Sequence, residues 1–308
     1  MAVEILSVAH CNVNCSDLER SRRFYSEFVG LEARAHTAPE SPQDGTGFGL
    51  PQVQWDAFMM QDATRTTSID LLEWKLPGPV GRPYPALNHL GFARVCLSVP
   101  DLDATYARLR AAGVECLSPP CTYPIRPEDG LHARVLMCRD PDGTVVEFVE
   151  APGGDPRLVH VNICCSDLAR SSEWYRRVLS LEVRGGSRPG PVPGAGFGLP
   201  GEVEWEAEFL YPKGLAESFM IDLLEWKKPA PAGPPYPSAN HLGIFRMAFL
   251  VEDAHAAYKE IRTQGVDCPP PVWLEMGPEI PVAGLWAVFF PDPDGTCLEF
   301  IGRPDLPS

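Results

Sequence analysis

"LVHVNICCSDLARSSEWYRRVLSLE", residues Leu158–Glu182, repeats in outline a stretch near the start of the chain, "SVAHCNVNCSDLERSRRFYSEFVGLE", Ser7–Glu32. Each carries a His, an Asn two residues later, the run Cys-Ser-Asp-Leu and a segment with helical spacing. The correspondence continues in order. "GFGLP" recurs at Gly47–Pro51 and Gly196–Pro200, "IDLLEWK" at Ile69–Lys75 and Ile221–Lys227, "NHLG" at Asn88–Gly91 and Asn240–Gly243, and "DPDGT" at Asp140–Thr144 and Asp292–Thr296. Constant order and spacing identify a whole-domain duplication. The junction falls in "EAPGGDPR", Glu150–Arg157, which divides the 308 residues into domains 1–152 and 153–308.

Each half divides again. "RVCLSVPDLDATYARLRAAGVE", Arg94–Glu115, is a weaker relative of the opening stretch. Both read as a strand, an Asp-Leu turn, an amphipathic helix and a Gly (Gly30, Gly113) where the helix stops and positive φ is needed. Leu102, Tyr106 and Leu109 recur at helical spacing, and Ser16 with Glu19 has the form of a capping box. Short β-like runs follow, and the Asp-Gly pair of "DPDGT" marks a tight turn into the last of them. The unit is β-α-β-β-β, present four times, so the expected class is α+β with mixed sheets.

The balance is acidic, 41 Asp and Glu against 26 Lys and Arg for a formal net charge of -15. That argues against nucleic acid or an anionic membrane as partner, since both select basic surfaces. The 10 cysteines show no C-x-x-C spacing, and several sit in apolar strand patterns, as expected of buried reduced thiols. No basic and apolar leader and no apolar run of about 18 residues is present. A soluble cytoplasmic protein, monomer or homodimer, that binds a small molecule is expected.

The His-(x)6-Asp-Leu pattern, the aromatic pairs Phe24-Tyr25 and Trp174-Tyr175, and the closing "DPDGxxxE" strands resemble the vicinal oxygen chelate superfamily. That group contains glyoxalase I, extradiol dioxygenases and bleomycin resistance proteins. The resemblance implies two glyoxalase-like domains in which paired βαβββ modules form a curved sheet around a cup. It also implies a divalent metal held by the first and last strands of each module.

Strand alternation selects the side chains that reach such a cup. His10, Asn12 and Asn14 share one face of the first strand, with Cys11, Val13 and Cys15 on the other. His160, Asn162 and Cys164 repeat the split. Arg94 and Arg246 occupy the matching place in the second and fourth modules, where the family often has a second His. On the last strands Glu147 and Glu299 face the cup, as does Asp70, with Glu73 the second choice; Asp222 and Glu225 stand in the same relation. Each half therefore offers one imidazole, two carboxylates and an arginine: His10, Asp70, Glu147 and Arg94, then His160, Asp222, Glu299 and Arg246. His10, Asp70, Glu147, His160, Asp222 and Glu299 are the candidate ligands for Fe, Mn, Co, Ni or Zn, unless the site holds no metal.

Arginine has no lone pair to give a metal. It either repels the cation, pairs with a cup acid, or clamps an anionic substrate. Arg94, Arg246, Asn12, Asn162, Trp74 and Trp226 are the candidate substrate contacts. His89 and His241 read as turn or packing residues. With a metal, the resemblance implies an isomerase or lyase of glyoxalase type acting on an enolisable carbonyl compound, with Glu147 and Glu299 as catalytic bases. Without one, the cup is a binding site of the resistance-protein kind. A ring-cleaving dioxygenase is third, because two His and one carboxylate are not offered.

Overall fold

The computed structural model describes residues 3–215 and 219–302. The first module runs β1 (Ser7–Cys15), α1 (Leu18–Glu27), β2 (Glu32–Thr37), β3 (Gln43–Asp44), β4 (Gln52–Gln61) and β5 (Ser68–Leu76). The second is β6 (Gly91–Val99), α2 (Leu102–Ala111), β7 (Cys121–Arg126), β8 (Leu131–Arg139) and β9 (Val145–Glu150). The third is β10 (Arg157–Cys164), α3 (Leu168–Leu179), β11 (Leu181–Ser187), β12 (Val192–Pro193), β13 (Glu202–Pro212) and β14 (Met220–Lys228). The fourth is β15 (Gly243–Val251), α4 (Ala254–Thr263), β16 (Val272–Glu275), β17 (Gly284–Pro291) and β18 (Cys297–Gly302).

The modules pair across the halves. One sheet runs β16-β17-β18-β15-β1-β5-β4-β2 and joins the fourth module to the first. The other runs β11-β13-β14-β10-β6-β9-β8-β7 and joins the third to the second. Within each sheet the two first strands meet antiparallel, β1 on β15 and β10 on β6, while each pairs in parallel with its own module's last strand. The sheets are therefore mixed, one a curled half-barrel and the other nearly closed. Arg188 N donates to Ile125 O across the seam of the second. The duplication at residue 152 is thus a sequence boundary whose two sides each supply strands to both sheets.

Crossing connectors make this pairing. Residues 77–90 carry the chain from β5 to β6, and residues 229–242 carry it from β14 to β15. Tyr84 and Tyr236 stack at 4.2 Å between ring centres where the connectors cross, with His89 stacked on Tyr84 at 3.6 Å and His241 on Tyr236 at 4.4 Å. Asn88 donates to Ala230 O and Asn240 to Gly78 O. Gly81 and Gly233 have positive φ, and a Cβ on either would run into His241 or His89. The expected packing role of His89 and His241 is what the structure shows.

The convex faces carry the helices. Cys11, Val13 and Cys15 pack there with Phe24 and Tyr25 in a core that draws on both sheets and all four helices. That leaves His10, Asn12 and Asn14 for the concave side, as alternation requires. The expected capping box is displaced by one residue. Asp17 is the N-cap and accepts from Arg20 N, while Ser16 donates to Asp142. Gly30 and Gly113 do take positive φ after their helices.

"DPDGT" explains its own recurrence. The Asp142 carboxylate receives the Ser16 N–H and the Arg20 guanidinium at the start of α1, and Asp294 does the same for Ser166 and Arg170 at α3. Buried Asp140 accepts from Asp142 N, Thr144 N and the Tyr25 hydroxyl, and Asp292 accepts from Asp294 N, Thr296 N and Tyr175. Each turn clasps a helix belonging to the other sheet.

Burial raises the Asp140 carboxyl to about 6, against the opposing hydrogen bonds. A carboxyl raised in the native state contributes stability below its unfolded value, and loses it as pH rises through 6. Asp140→Asn keeps an acceptor and should gain on wild type by on the order of 2–3 kcal/mol between pH 4 and pH 8 in urea unfolding. Asp140→Ala leaves three donors without an acceptor and should cost about 2–4 kcal/mol.

Candidate functional site

Each sheet encloses one cup, and four side chains from four strands meet at its floor. In the first, His10 comes from β1, Asp70 from β5, Arg246 from β15 and Glu299 from β18. Arg246 Nε donates to Glu299 Oε2 at 2.8 Å and its Nη2 to Asp70 Oδ2 at 2.7 Å. His10 Nε2 lies 3.3 Å from Glu299 Oε2 and 4.0 Å from Asp70 Oδ2. In the second cup Arg94 Nε donates to Glu147 Oε2 at 2.6 Å and Nη2 to Asp222 Oδ2 at 3.0 Å. His160 Nε2 is 3.3 Å from Glu147 Oε2 and 3.9 Å from Asp222 Oδ2.

All eight residues reach the concave side, and they group across the halves. Glu147 and Arg94 join His160 and Asp222; Glu299 and Arg246 join His10 and Asp70. The cause is the exchange of modules between sheets. A half alone supplies a His-Asp edge to one cup and an Arg-Glu edge to the other.

Other candidates move away from the cavity. Glu73 Oε2 accepts from Leu18 N and Glu225 Oε2 from Leu168 N, so both acids sit at helix N-termini where the dipole favours a negative charge. Asp70 and Asp222 are the cup acids. Asn12 and Asn162 are wholly buried. Their amide nitrogens donate to the backbone oxygen and Oδ2 of Asp70 and Asp222, so they orient the acids from within the sheet. Trp74 and Trp226 are buried behind the walls, donating to Asn14 Oδ1 and Leu87 O.

The walls are Trp55 and Phe48 in the first cup, and Trp205 and Phe197 in the second. The Arg246 guanidinium lies 5.7 Å from the Phe48 ring centre and Arg94 5.9 Å from Phe197, within cation–π range. Phe48 and Phe197 are the residues that sequence reasoning left out. The signal was the repeated "GFGLP", whose Phe is carried over the cup on a short 3₁₀ turn. The cavities measure about 190 and 270 Å³. Their lining is mainly apolar, with the charges confined to the floor. The cups also differ: Cys96 and Tyr123 stand in the second where the strand pairing places Ala248 and Leu274 in the first.

These donors do not fit a resident divalent ion. On each acid, the oxygen nearest the imidazole already accepts from the guanidinium, which bridges both acids. A divalent ion among them would stand close to that fixed positive charge, which offsets part of the attraction of the two acids. In the second cup the donor atoms of Cys96, Glu147 and His160 lie within 4.8 Å of one another. Even there burial pushes the Cys96 thiol well above its usual range, and Arg94 holds the glutamate.

Burial alone would raise Glu147, but Arg94 and His160 outweigh it and hold the carboxyl at about 2. Glu299 is lowered by Arg246 and His10 in the same way. A lowered carboxyl contributes stability above its unfolded value, which is lost as pH falls through the native one. Glu147→Gln should therefore flatten the acid limb of stability between pH 4.5 and 2. Arg246→Met leaves two buried acids uncompensated and should cost about 3–5 kcal/mol in denaturant unfolding.

Comparison with known proteins agrees with this architecture. No curated protein matches the chain by sequence. Glyoxalase I from Zea mays superposes with a TM-score of 0.66 at 15% identity, over 96% of this chain and 92% of that one. A candidate dioxygenase from Bacillus subtilis superposes at 0.62 and 15% identity, over 98% and 87%. At such identities the likeness concerns the fold alone. The family model of the Glyoxalase/Bleomycin resistance protein/Dioxygenase superfamily matches residues 7–148 and again 157–300, and the chain belongs to that superfamily.

Proposed function

We propose that this protein is a metal-independent small-molecule binding protein with two cups. Each takes one compact, largely apolar ligand whose single polar group meets the charged floor. The observation that carries this reading is the guanidinium bridging both acids of each cup. It takes the oxygen of each acid that lies nearest the imidazole and sets a fixed positive charge between the two acids. The resemblance to resistance proteins of the superfamily fits the same reading.

Size and charge narrow the ligand. A dry cavity of about 150 Å³ accepts benzene, so each cup suits a molecule with one ring. Two carboxylates against one guanidinium give each floor a formal charge of -1 when the imidazole is neutral. In an apolar enclosure this favours a neutral or singly cationic guest and opposes an anion. A bidentate clamp on a substrate anion is disfavoured here, because Nε and Nη2 of both arginines bind the acids and only Nη1 is left.

A second reading, a metal-independent isomerase or lyase, draws on one observation. Arg94 Nη1 and Arg246 Nη1 are buried without partners, close to an imidazole and a carboxylate. Such an N–H could stabilise an enolate oxygen while His10 or His160 moved the proton. The glyoxalase-type mechanism with a metal, and the dioxygenase, both require a donor set that the arginines occupy.

Elemental analysis of protein purified without chelator should find no stoichiometric transition metal. Benzylamine, benzyl alcohol and benzoate, titrated against tryptophan fluorescence, should rank in that order. Benzoate should bind at least about tenfold more weakly than benzylamine, roughly 1.4 kcal/mol. Trp55→Phe should remove the first cup's share of the signal. Tightest binding by benzoate, or one metal per cup, contradicts the proposal.

A further inference from the structure

The internal two-fold relation of each sheet makes the arginine equivalent to the histidine. Asn12 is level with Asp70 across β1 and β5, and His10 stands two residues before Asn12. Ala248 is level with Glu299 across β15 and β18, and Arg246 stands two residues before Ala248. Asn162 with Asp222, and Cys96 with Glu147, place His160 and Arg94 in the same relation. Each cup is therefore a four-cornered constellation of His, Asp, Arg and Glu on equivalent strand positions. Three corners are metal-ligand types, and the fourth is a permanent cation that cannot ligate.

We propose that Arg246 and Arg94 are the resident cations of the two cups, each a tethered stand-in for a divalent ion, and that each alone closes a nearly complete ligand set to metal. The inference rests on the metal-independent reading above. The guanidinium takes the same acid oxygens that the imidazole approaches, bridging the acids at 2.6–3.0 Å in the second cup and 2.7–2.8 Å in the first. It is held there from both sides: Glu299 or Glu147 takes Nε, and Asp70 or Asp222 takes Nη2. An arginine merely passing through the cup would not satisfy two acids from two different modules.

The cups would diverge once opened. Cys96 lies level with both His160 and Glu147, and the donor atoms of these three residues already lie within 4.8 Å. A metal entering the second cup would meet a thiol, which loses its proton on coordination and favours softer ions. In the first cup Ala248 stands at that place; the thiol there, Cys297, lies level with Arg246 instead, and the Met59 and Met276 thioethers line the wall.

The test uses the full chain carrying Arg246→His, Arg94→His or Arg246→Lys, stripped with a chelator and titrated with Co²⁺. Wild type and Arg246→Lys should take up no stoichiometric cobalt. Each Arg→His variant should bind one per chain, with visible absorption from a low-coordinate site. Arg94→His should add an intense thiolate-to-cobalt band in the near ultraviolet, lost in Arg94→His/Cys96→Ala and absent from Arg246→His/Cys297→Ala. Should either variant fold poorly, Co²⁺ should still raise its thermal midpoint and leave that of wild type unchanged. Folded variants of both cups that bind no cobalt would overturn this inference and leave the metal-independent reading standing. Wild type binding cobalt as tightly as the variants would overturn both. Cobalt in Arg94→His without the ultraviolet band would overturn the assigned role of Cys96.

Discussion

The interaction on which the structure turns is a buried guanidinium shared by two carboxylates from different modules. Charged groups removed from water cost several kcal/mol each, and only close, hydrogen-bonded pairing offsets that cost. Arg94 and Arg246 are 4% and 5% exposed, so neither could keep its charge in an apolar cup without both acids. The pairing is fixed from behind as well. Asn12 and Asn162 orient the aspartates, and Phe48 and Phe197 cover the guanidinium planes.

In the form the chain has, the two halves depend on each other, because each cup draws one edge from either half. The first half carries the His-Asp edge of one cup and the Arg-Glu edge of the other. Its Arg94 meets one acid of its own half, Glu147, and one of the other, Asp222, while its Asp70 meets Arg246. The crossing connectors and the "DPDGT" clasps are the mechanical side of the same arrangement. Stacked Tyr84 and Tyr236 hold the exchange of modules, while Asp142 and Asp294 tie the start of each clasped helix to the opposite sheet. The connectors, not the charges, select this topology, because either pairing of modules would bring His, Asp, Arg and Glu together.

Much of this was legible in the sequence, for physical reasons. The period of two in "HCNVNC" separates Cys11 and Val13 from His10 and Asn12, and the core indeed takes the first pair. The same alternation chose Asp70 over Glu73, because Glu73 is needed at a helix N-terminus where Leu18 N lacks a partner. Pairing between modules was hidden, since nothing local in β1 distinguishes β6 from β15 as its neighbour; the choice is made by connectors whose contacts are long-range. Asn12 and Trp74 share the cup's face of their strands and are buried all the same, because face alone does not tell floor from foundation. Both point to the concave side and stop one layer short of the cavity. Phe48 was passed over because it lies on a turn, where alternation says nothing.

The most direct measurement is a crystal structure of the wild-type protein grown or soaked with Mn²⁺ or Zn²⁺, with anomalous difference maps over both cups. The expected result is no anomalous peak among His10, Asp70 and Glu299 or among His160, Asp222 and Glu147, with each arginine still bridging its two acids. A peak at either position, with Arg246 or Arg94 swung away from its aspartate, would contradict the assignment of the guanidinium as the cation these cups are built around.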